Sequence, residues 1–196
     1  MENKSMAYRS RLLVCTAMAD SRVNAVLRRM ADERPQLFEQ SLNTAYVAAQ
    51  VAEATSYAGD HSELVTAALV HDTGMLNVPD DIFMKHERLS TEEKAVVQQH
   101  VYDGSKMLLK LGFDGAIVEA ALLHHERSNG TGYPEGRESP AIPRLIKIIM
   151  VCDVYEALTS DRPQRKAFNM YEACSMMSVM PLSGATLHAI KRCDDT

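Results

Sequence analysis

At 196 residues the chain is long enough for one substantial core and too short for two comfortable domains. Hydrophobic content of 46% and charged content of 24% are ordinary for a globular domain, and a net charge of -5 speaks against nonspecific binding of DNA or RNA, which calls for a basic excess. The longest apolar runs, such as Ile148 to Cys152, fall far short of the roughly 20 residues that span a bilayer, so no membrane insertion is expected. Residues Met1 to Arg11 mix charged and polar groups and contain no signal-peptide stretch. Cys15, Cys152, Cys174 and Cys193 show no C-x-x-C spacing, which points to free thiols and a cytoplasmic protein.

In chain order, Ser5 to Met30 reads as helix, with Leu12, Leu13, Ala17, Val23, Val26 and Leu27 at three- and four-residue steps. Residues 1–33 are expected to form an N-terminal helical segment used for dimerisation or as a linker, and 34–196 the main domain. Pro35 marks a break or a helix start, and helical spacing resumes from Leu37 to Ala58, where Gly59-Asp60 is the expected stop. Asp60 or Ser62 can cap the next helix, Glu63 to Val70, which runs into His71-Asp72-Thr73-Gly74 with Gly74 as its stop signal. Met75 to Leu89 reads as loop. Ser90 and Glu93 form a capping box ahead of a helix through Val96, Val97, His100 and Val101, with a kink expected at Gly104. Asp114 is expected to cap a helix from Ala116 to His125. After a glycine-rich loop, Pro140 and Pro143 open a helix carrying Leu145, Ile148, Ile149, Val151, Cys152, Val154 and Leu158. Its nearly all-round apolar pattern is that of a central buried helix. A second capping box, Asn169 and Glu172, starts another helix, and Gly184 to Cys193 a last one. No stretch alternates with period two, so the fold is predicted to be all-α.

Candidate chemistry gathers on a few of these elements. His124 and His125 are adjacent, and adjacent helical side chains point about 100° apart, so both can serve one site only from a helix end. The following loop supplies such an end: Gly130 and Gly132 are expected at positive φ, and Pro134 blocks regular continuation. Asp153 lies inside the apolar helix and must be satisfied or neutralised there. His71-Asp72 closes another apolar helix, and His100 follows Val96-Val97. Each residue alone also fits a solvated polar position. Together they form a set of imidazoles and carboxylates suited to iron, manganese, zinc or nickel, in which a carboxylate can bridge two cations.

The order of these motifs resembles the HD-GYP family of the HD superfamily of metal-dependent phosphohydrolases. The resemblance rests on His71-Asp72, His100, His124-His125-Glu126-Arg127, Gly130-Thr131-Gly132-Tyr133-Pro134 and Asp153 to Ser160, and it covers roughly Gln36 to Met180. It implies an HD-domain helical bundle with the Gly-Tyr-Pro loop between helices, and hydrolysis of cyclic di-GMP to pGpG or GMP. It further implies two divalent ions, iron or manganese first, zinc or nickel as alternatives. Asp72 would bridge them, His71 and Asp153 would hold the first, and His100, His124 and His125 the second. His71 and Asp72 would be the catalytic pair, while Tyr133, Arg162 and Arg165 would contact substrate. Glu156 stands where the family usually has an aspartate. A GGDEF-type signalling protein or a second copy of the chain is the protein partner to be expected.

Four positions depart from the family pattern. Gln40 stands in place of an upstream histidine, Gln36 in place of a glutamate, Met75 in place of a lysine and Gln164 in place of a tyrosine. A neutral amide is a poorer ligand than imidazole. The first metal site is therefore expected to be weak or empty, and a third metal is not expected. Two functions follow: a working phosphodiesterase, or a catalytically inactive member acting as a cyclic di-GMP receptor or protein-interaction module. The Gly-Tyr-Pro loop argues against an HD phosphohydrolase acting on another nucleotide.

Overall fold

The computed structural model describes residues 2–161 and 165–194, with side chains from residue 6 to residue 190. Regular structure is helical throughout, and among the described residues no strand forms, in agreement with the missing period-two pattern. The N-terminal stretch is two helices, α1 (Glu2–Met18) and α2 (Ser21–Glu33). Asp20 divides them because its carboxylate accepts the backbone N–H of Arg22 at 2.8 Å and caps α2. Both helices lie on the core: Val14, Ala17, Val23, Val26, Leu27 and Met30 are buried.

Helix α3 (Pro35–Ala54) starts at its proline, as predicted, but stops four residues before Ala58. The terminator is Thr55, whose hydroxyl bonds back to the Val51 carbonyl at 2.8 Å, followed by Ser56 at φ 48°; Gly59-Asp60 is not the stop. Asp60 instead caps α4 (His61–Val70), accepting from the N–H groups of Ser62 and Glu63. Six of the ten residues of α4 are buried, so the helix delivers His71 at its end directly into the interior.

A 3-10 turn, Thr73–Asn77, and a one-turn helix, α5 (Asp80–Phe83), occupy the stretch predicted as loop. Arg34 braces α5 from the α2–α3 corner: it reaches Asp80 at 2.5 Å, bonds the Val78 carbonyl at 3.0 Å and lies 4.5 Å over the Phe83 ring. Helix α6 (Thr91–Gln98) has its capping box and buries no residue, while α7 (His100–Lys110) is half core. The interruption falls at Gln99, not at Gly104, which runs inside α7.

Gly104 has a different duty. A Cβ built there would lie 3.0 Å from the Gly74 nitrogen, and one on Gly74 would lie 1.9 Å from the His100 carbonyl oxygen. The Thr73–Asn77 turn and α7 therefore meet backbone to backbone, and Gly74 serves this contact after α4 has already ended at Val70.

Asp114 occupies the N-cap position of α8 (Gly115–Leu123) without a capping bond from its side chain. A second 3-10 turn, Ser139–Ala141, takes up Pro140, and α9 (Arg144–Thr159) follows Pro143. Residues Leu145, Ile146 and Ile148 to Cys152 are buried, so α9 is the central helix its composition predicts. Each such side chain withdrawn from water stabilises the fold by about 1.5–3 kcal/mol before entropic costs. Helices α10 (Met170–Ser178), with its Asn169–Glu172 capping box, and α11 (Gly184–Asp194) complete the chain. Cys15 is exposed, Cys152 and Cys174 are buried, and all three are free thiols; the side chain of Cys193 lies outside those described. Among the described residues no helix is long and apolar enough to cross a membrane.

Substituting Gly74→Ala is expected to destabilise the protein by about 3 kcal/mol through overpacking, lowering Tm by roughly 6–12 °C. Thermal unfolding followed by circular dichroism measures this. A Tm equal to that of the wild type would show that the two backbones are not in obligatory contact.

Candidate metal centre

Three helix ends and the interior of a fourth helix converge on one buried point. Helix α4 ends at His71 and Asp72, α7 begins with His100, and α8 ends so that His124 is its C-cap and His125 the next residue. The fourth helix contributes Asp153, from one turn and a half inside the C-terminal end of α9. The paired histidines thus sit at the helix end that their adjacency requires.

The imidazoles are oriented by backbone carbonyls. His71 Nδ1 lies 2.8 Å from the Ala68 oxygen, His100 Nδ1 2.6 Å from the Val97 oxygen, and His124 Nδ1 3.0 Å from the Ala121 oxygen. A carbonyl only accepts, so each Nδ1 carries a proton, and each ring, when neutral, presents its Nε2 lone pair. Those lone pairs point at one another and at Asp72. His100 Nε2 is 3.3 Å from His124 Nε2, and both lie close to Asp72 Oδ1, at 3.2 and 3.3 Å. His71 Nε2 stands 3.7 Å from Asp72 Oδ2 and 3.7 Å from Asp153 Oδ1.

Facing acceptors at these distances need protons or a cation between them. Among the described residues, His71 Nε2 and Asp72 Oδ1 are buried with no hydrogen-bond partner. Ligand atoms converge in two groups, one of Asp72, His100, His124 and His125, the other of His71, Asp72 and Asp153, all within 4.8 Å of each other in each group. Asp72 belongs to both. The orphaned atoms and the donor set, imidazole nitrogen with carboxylate oxygen, fit a divalent transition metal.

The charges inside the cluster follow from its burial. Burial opposes charge on His71, but the carboxylates of Asp72 and Asp153 outweigh it and raise its pKa to about 9. Burial likewise works against ionised Asp72, yet His71, His100 and His124 hold that carboxyl well below the ordinary range. Asp153 is held down chiefly by its bond to His71, against the same penalty. Burial, reinforced by His124, drives His125 well below an ordinary imidazole, so it stays neutral.

Tyr133 stacks on His125, with ring centroids 4.8 Å apart and planes 29° from parallel. Burial, helped by the nearby charge of Asp72, raises its phenol pKa, so the hydroxyl remains a donor across the physiological range. The loop carrying it is fastened from below by Glu126. This fully buried carboxylate accepts the backbone N–H groups of Glu135 at 2.7 Å and Arg137 at 2.9 Å. Gly130 takes the expected positive φ, 74°, but Gly132 does not. Gly132 is needed because a Cβ there would lie 2.4 Å from the Glu126 Cα and the Arg127 nitrogen. A single bridge, Asn129 to Glu138, closes the loop in place of a hairpin. The anchoring role of Glu126 was not read from the sequence; its place directly after two buried histidines, at a helix end, is the signal that it too is interior.

A cleft of about 590 Å³ opens beside Asp72. Gln36, Gln40 and Met75, three of the four departures from the family pattern, line it together with Glu156. Glu156 is buried and accepts from the Ser160 hydroxyl at 2.6 Å. Arg165 is turned to the end of α9, where its guanidinium donates to the Ala157 and Leu158 carbonyls. Arg162 and Gln164 lie outside the described residues.

Comparison with known proteins adds the following. Residues 25–184 match the family model described as HD domain. The chain is 43% identical over 113 residues to the cyclic di-GMP phosphodiesterase PA4108 of Pseudomonas aeruginosa, an alignment covering 57% of this chain and 27% of that protein. It is 38% identical over 115 residues to the 3'3'-cGAMP-specific phosphodiesterase 1 of Vibrio cholerae, covering 58% of this chain and 26% of that one. The chain therefore aligns with only about a quarter of each of these relatives. Among solved structures, Bd1817, an HDG"Y"P protein from Bdellovibrio bacteriovorus, superposes with a TM-score of 0.70 at 18% identity, over 99% of this chain and 65% of that one. That likeness carries the fold.

Because His71 is protonated at neutral pH in the metal-free protein, a cation taken up here displaces its proton. The affinity for Mn(II) is expected to rise about tenfold per pH unit from pH 7 to pH 9 and to level off above. Calorimetric titration in buffers of different ionisation enthalpy counts the proton released. A pH-independent affinity would place the bound ion away from His71.

Proposed function

The chain belongs to the HD domain family, and from that premise we propose that it is a metal-dependent phosphodiesterase that hydrolyses cyclic di-GMP to pGpG or GMP. The observation that carries this reading is the pair of ligand groups sharing Asp72, with unpartnered acceptors aimed at their centre. In it, His71, Asp72 and Asp153 would hold one ion, and Asp72, His100, His124 and His125 the other. Iron or manganese suits this mixture of nitrogen and oxygen ligands, with zinc and nickel as alternatives. Divalent ions in such a site supply Lewis acidity toward a phosphoryl oxygen and the attacking water.

The chain's own residues do the rest. The Nδ1 protons of His71, His100 and His124 stay on backbone carbonyls, which keeps the three rings in one orientation through the reaction. Tyr133, stacked on His125 and protonated, can donate its hydroxyl to a phosphate oxygen or to the departing ribose oxygen. His71 and Asp72 are the residues assigned to the reacting water. Tyr133, Arg162 and Arg165 are assigned to substrate; Arg165 would first have to leave its place on the end of α9. A GGDEF-type protein or a second copy of the chain, joined through residues 1–33, remains the proposed protein partner.

A second reading has its own support. Gln36, Gln40 and Met75 share the cleft with Asp72, which leaves an amide and a thioether where imidazole and ammonium would bind more tightly. This favours a weak first site and, at the limit, an inactive cyclic di-GMP receptor.

Elemental analysis beside cyclic di-GMP turnover, with iron or manganese under reducing conditions, separates the two. Two ions per chain and formation of pGpG or GMP are expected. One ion or none, with nucleotide bound but uncleaved, would establish the receptor. Replacing Gln40→His is expected to raise bound metal per chain and turnover by about tenfold or more. If neither changes, Gln40 does not stand at a ligand position.

A further inference from the structure

The two relatives act, by their names, on dinucleotides that differ in one base: cyclic di-GMP has two guanines, and 3'3'-cGAMP has one guanine and one adenine. The cleft beside Asp72 contains a surface chemically able to tell these bases apart. Gln36, Glu39 and Asn43 all line it, and on α3 they stand at i, i+3 and i+7, which is one face of a helix. Gln36 and Glu39 are exposed to the cleft and make no side-chain hydrogen bond to another described residue. Asn43 makes one long contact, 3.4 Å, to Glu156. The same cleft is also lined by the apolar side chains of Phe83, Met84 and Leu89, of which Phe83 is covered by the Arg34 guanidinium. A flat base fits between a polar face that reads its edge and an apolar face that covers its ring.

We propose that this face of α3 is a nucleobase subsite selecting guanine, with Glu39 as the discriminating residue. The inference rests on the reading of the protein as one that binds cyclic dinucleotides. A carboxylate only accepts hydrogen bonds. Guanine offers two adjacent donors, N1–H and the N2 amino group, which match the two carboxylate oxygens. Adenine offers an unprotonated N1 at the corresponding place, and its lone pair faces the carboxylate charge. The amides of Gln36 and Asn43 can both donate and accept, so they add affinity for either base without choosing. Charge also sets the direction of binding. Glu39 and Glu156 repel phosphate, and Lys85, also in the cleft lining, is paired with Glu93 at 2.6 Å, whereas the His/Asp cluster beside Asp72 attracts phosphate once cations are bound. The base accordingly lies against α3 and the phosphodiester against Asp72.

The test is calorimetric titration of the Mn(II)-loaded protein with cyclic di-GMP and with cyclic di-AMP, in the wild type, in Glu39→Gln and in Gln36→Leu. Both substitutions are at exposed positions, and circular dichroism checks the fold. Tighter binding of cyclic di-GMP by the wild type is expected, with Glu39→Gln reducing the ratio of the two affinities by about tenfold or more. Gln36→Leu should weaken both nucleotides and leave their ratio as it is. A ratio unmoved by Glu39→Gln, or a wild type that binds the two equally or not at all, would overturn the assignment. Hydrolysis is followed separately with cyclic di-GMP. Base selection without hydrolysis would refute the phosphodiesterase and leave the subsite standing, while hydrolysis without base selection would do the reverse.

Discussion

The three hydrogen bonds from histidine Nδ1 to carbonyls one turn earlier are the constraint on which the site depends. A buried imidazole can show either nitrogen to its surroundings, and the tautomer follows the partner of the other nitrogen. Here Ala68, Val97 and Ala121 settle the question from the backbone, so the arrangement does not rely on any further side chain. It follows that the lone pairs of His71, His100 and His124 and the oxygens of Asp72 are crowded into one volume. Such a volume is unfavourable until a proton or a cation enters it, because acceptors otherwise face acceptors without water to separate them. The helices bear that cost through their remaining length: Leu64 to Val70 of α4 and most of α9 are packed into the common core. Stability of the bundle and strain of the site are thus carried by the same helices, at different ends.

A site made in this way has two unequal sides. On one side lie α8 and the Gly-Tyr-Pro loop, the loop fixed by two bonds to the buried carboxylate of Glu126. Toward the cleft lie Gln36, Gln40 and Met75, on surfaces where a side chain can change without disturbing a neighbour's bond. Asp72 and Asp153 keep 13% and 14% of their side chains accessible, which puts both carboxylates at the boundary between the two sides. The departures from the family pattern at Gln36, Gln40 and Met75 all fall on the cleft side.

Much of this was legible in the sequence because the relevant signals are local. The all-α class, the capping boxes at Ser90 and Asn169, the central helix and the helix-end position of His124 and His125 each depend on spacing within one element. The gathering of His71, Asp72, His100, His124, His125 and Asp153 was anticipated from motif order, since no spacing rule brings residues of four helices together. Errors arose where two interpretations share one residue type. Glycine at 74, 104 and 132 was read as a stop, a kink and a positive φ, but all three are places where another backbone comes too near for a Cβ. Glycine lacks a side chain for either purpose, and the sequence does not say which. The break at Asp20 and the early end of α3 at Thr55 turn on single side-chain bonds, Asp20 to Arg22 and Thr55 to Val51, which compete with helix continuation by small margins. Glu126 escaped notice because a glutamate after two histidines looks solvated until its partners, nine and eleven residues later, are seen.

The meeting of Gly74 with Gly104 has a consequence for how such a domain can diversify. Because it joins main chain to main chain, it fixes where Asp72 stands relative to His100 with no reference to the chemistry of any side group. The exposed positions of α3 that line the cleft, Gln36 and Glu39, take no part in that contact. At such exposed positions a side chain can be exchanged without touching the backbone contact that places Asp72 against His100. A single scaffold can in this way host both a hydrolase and a sensor, the two separated by a few exchanges on one helix face.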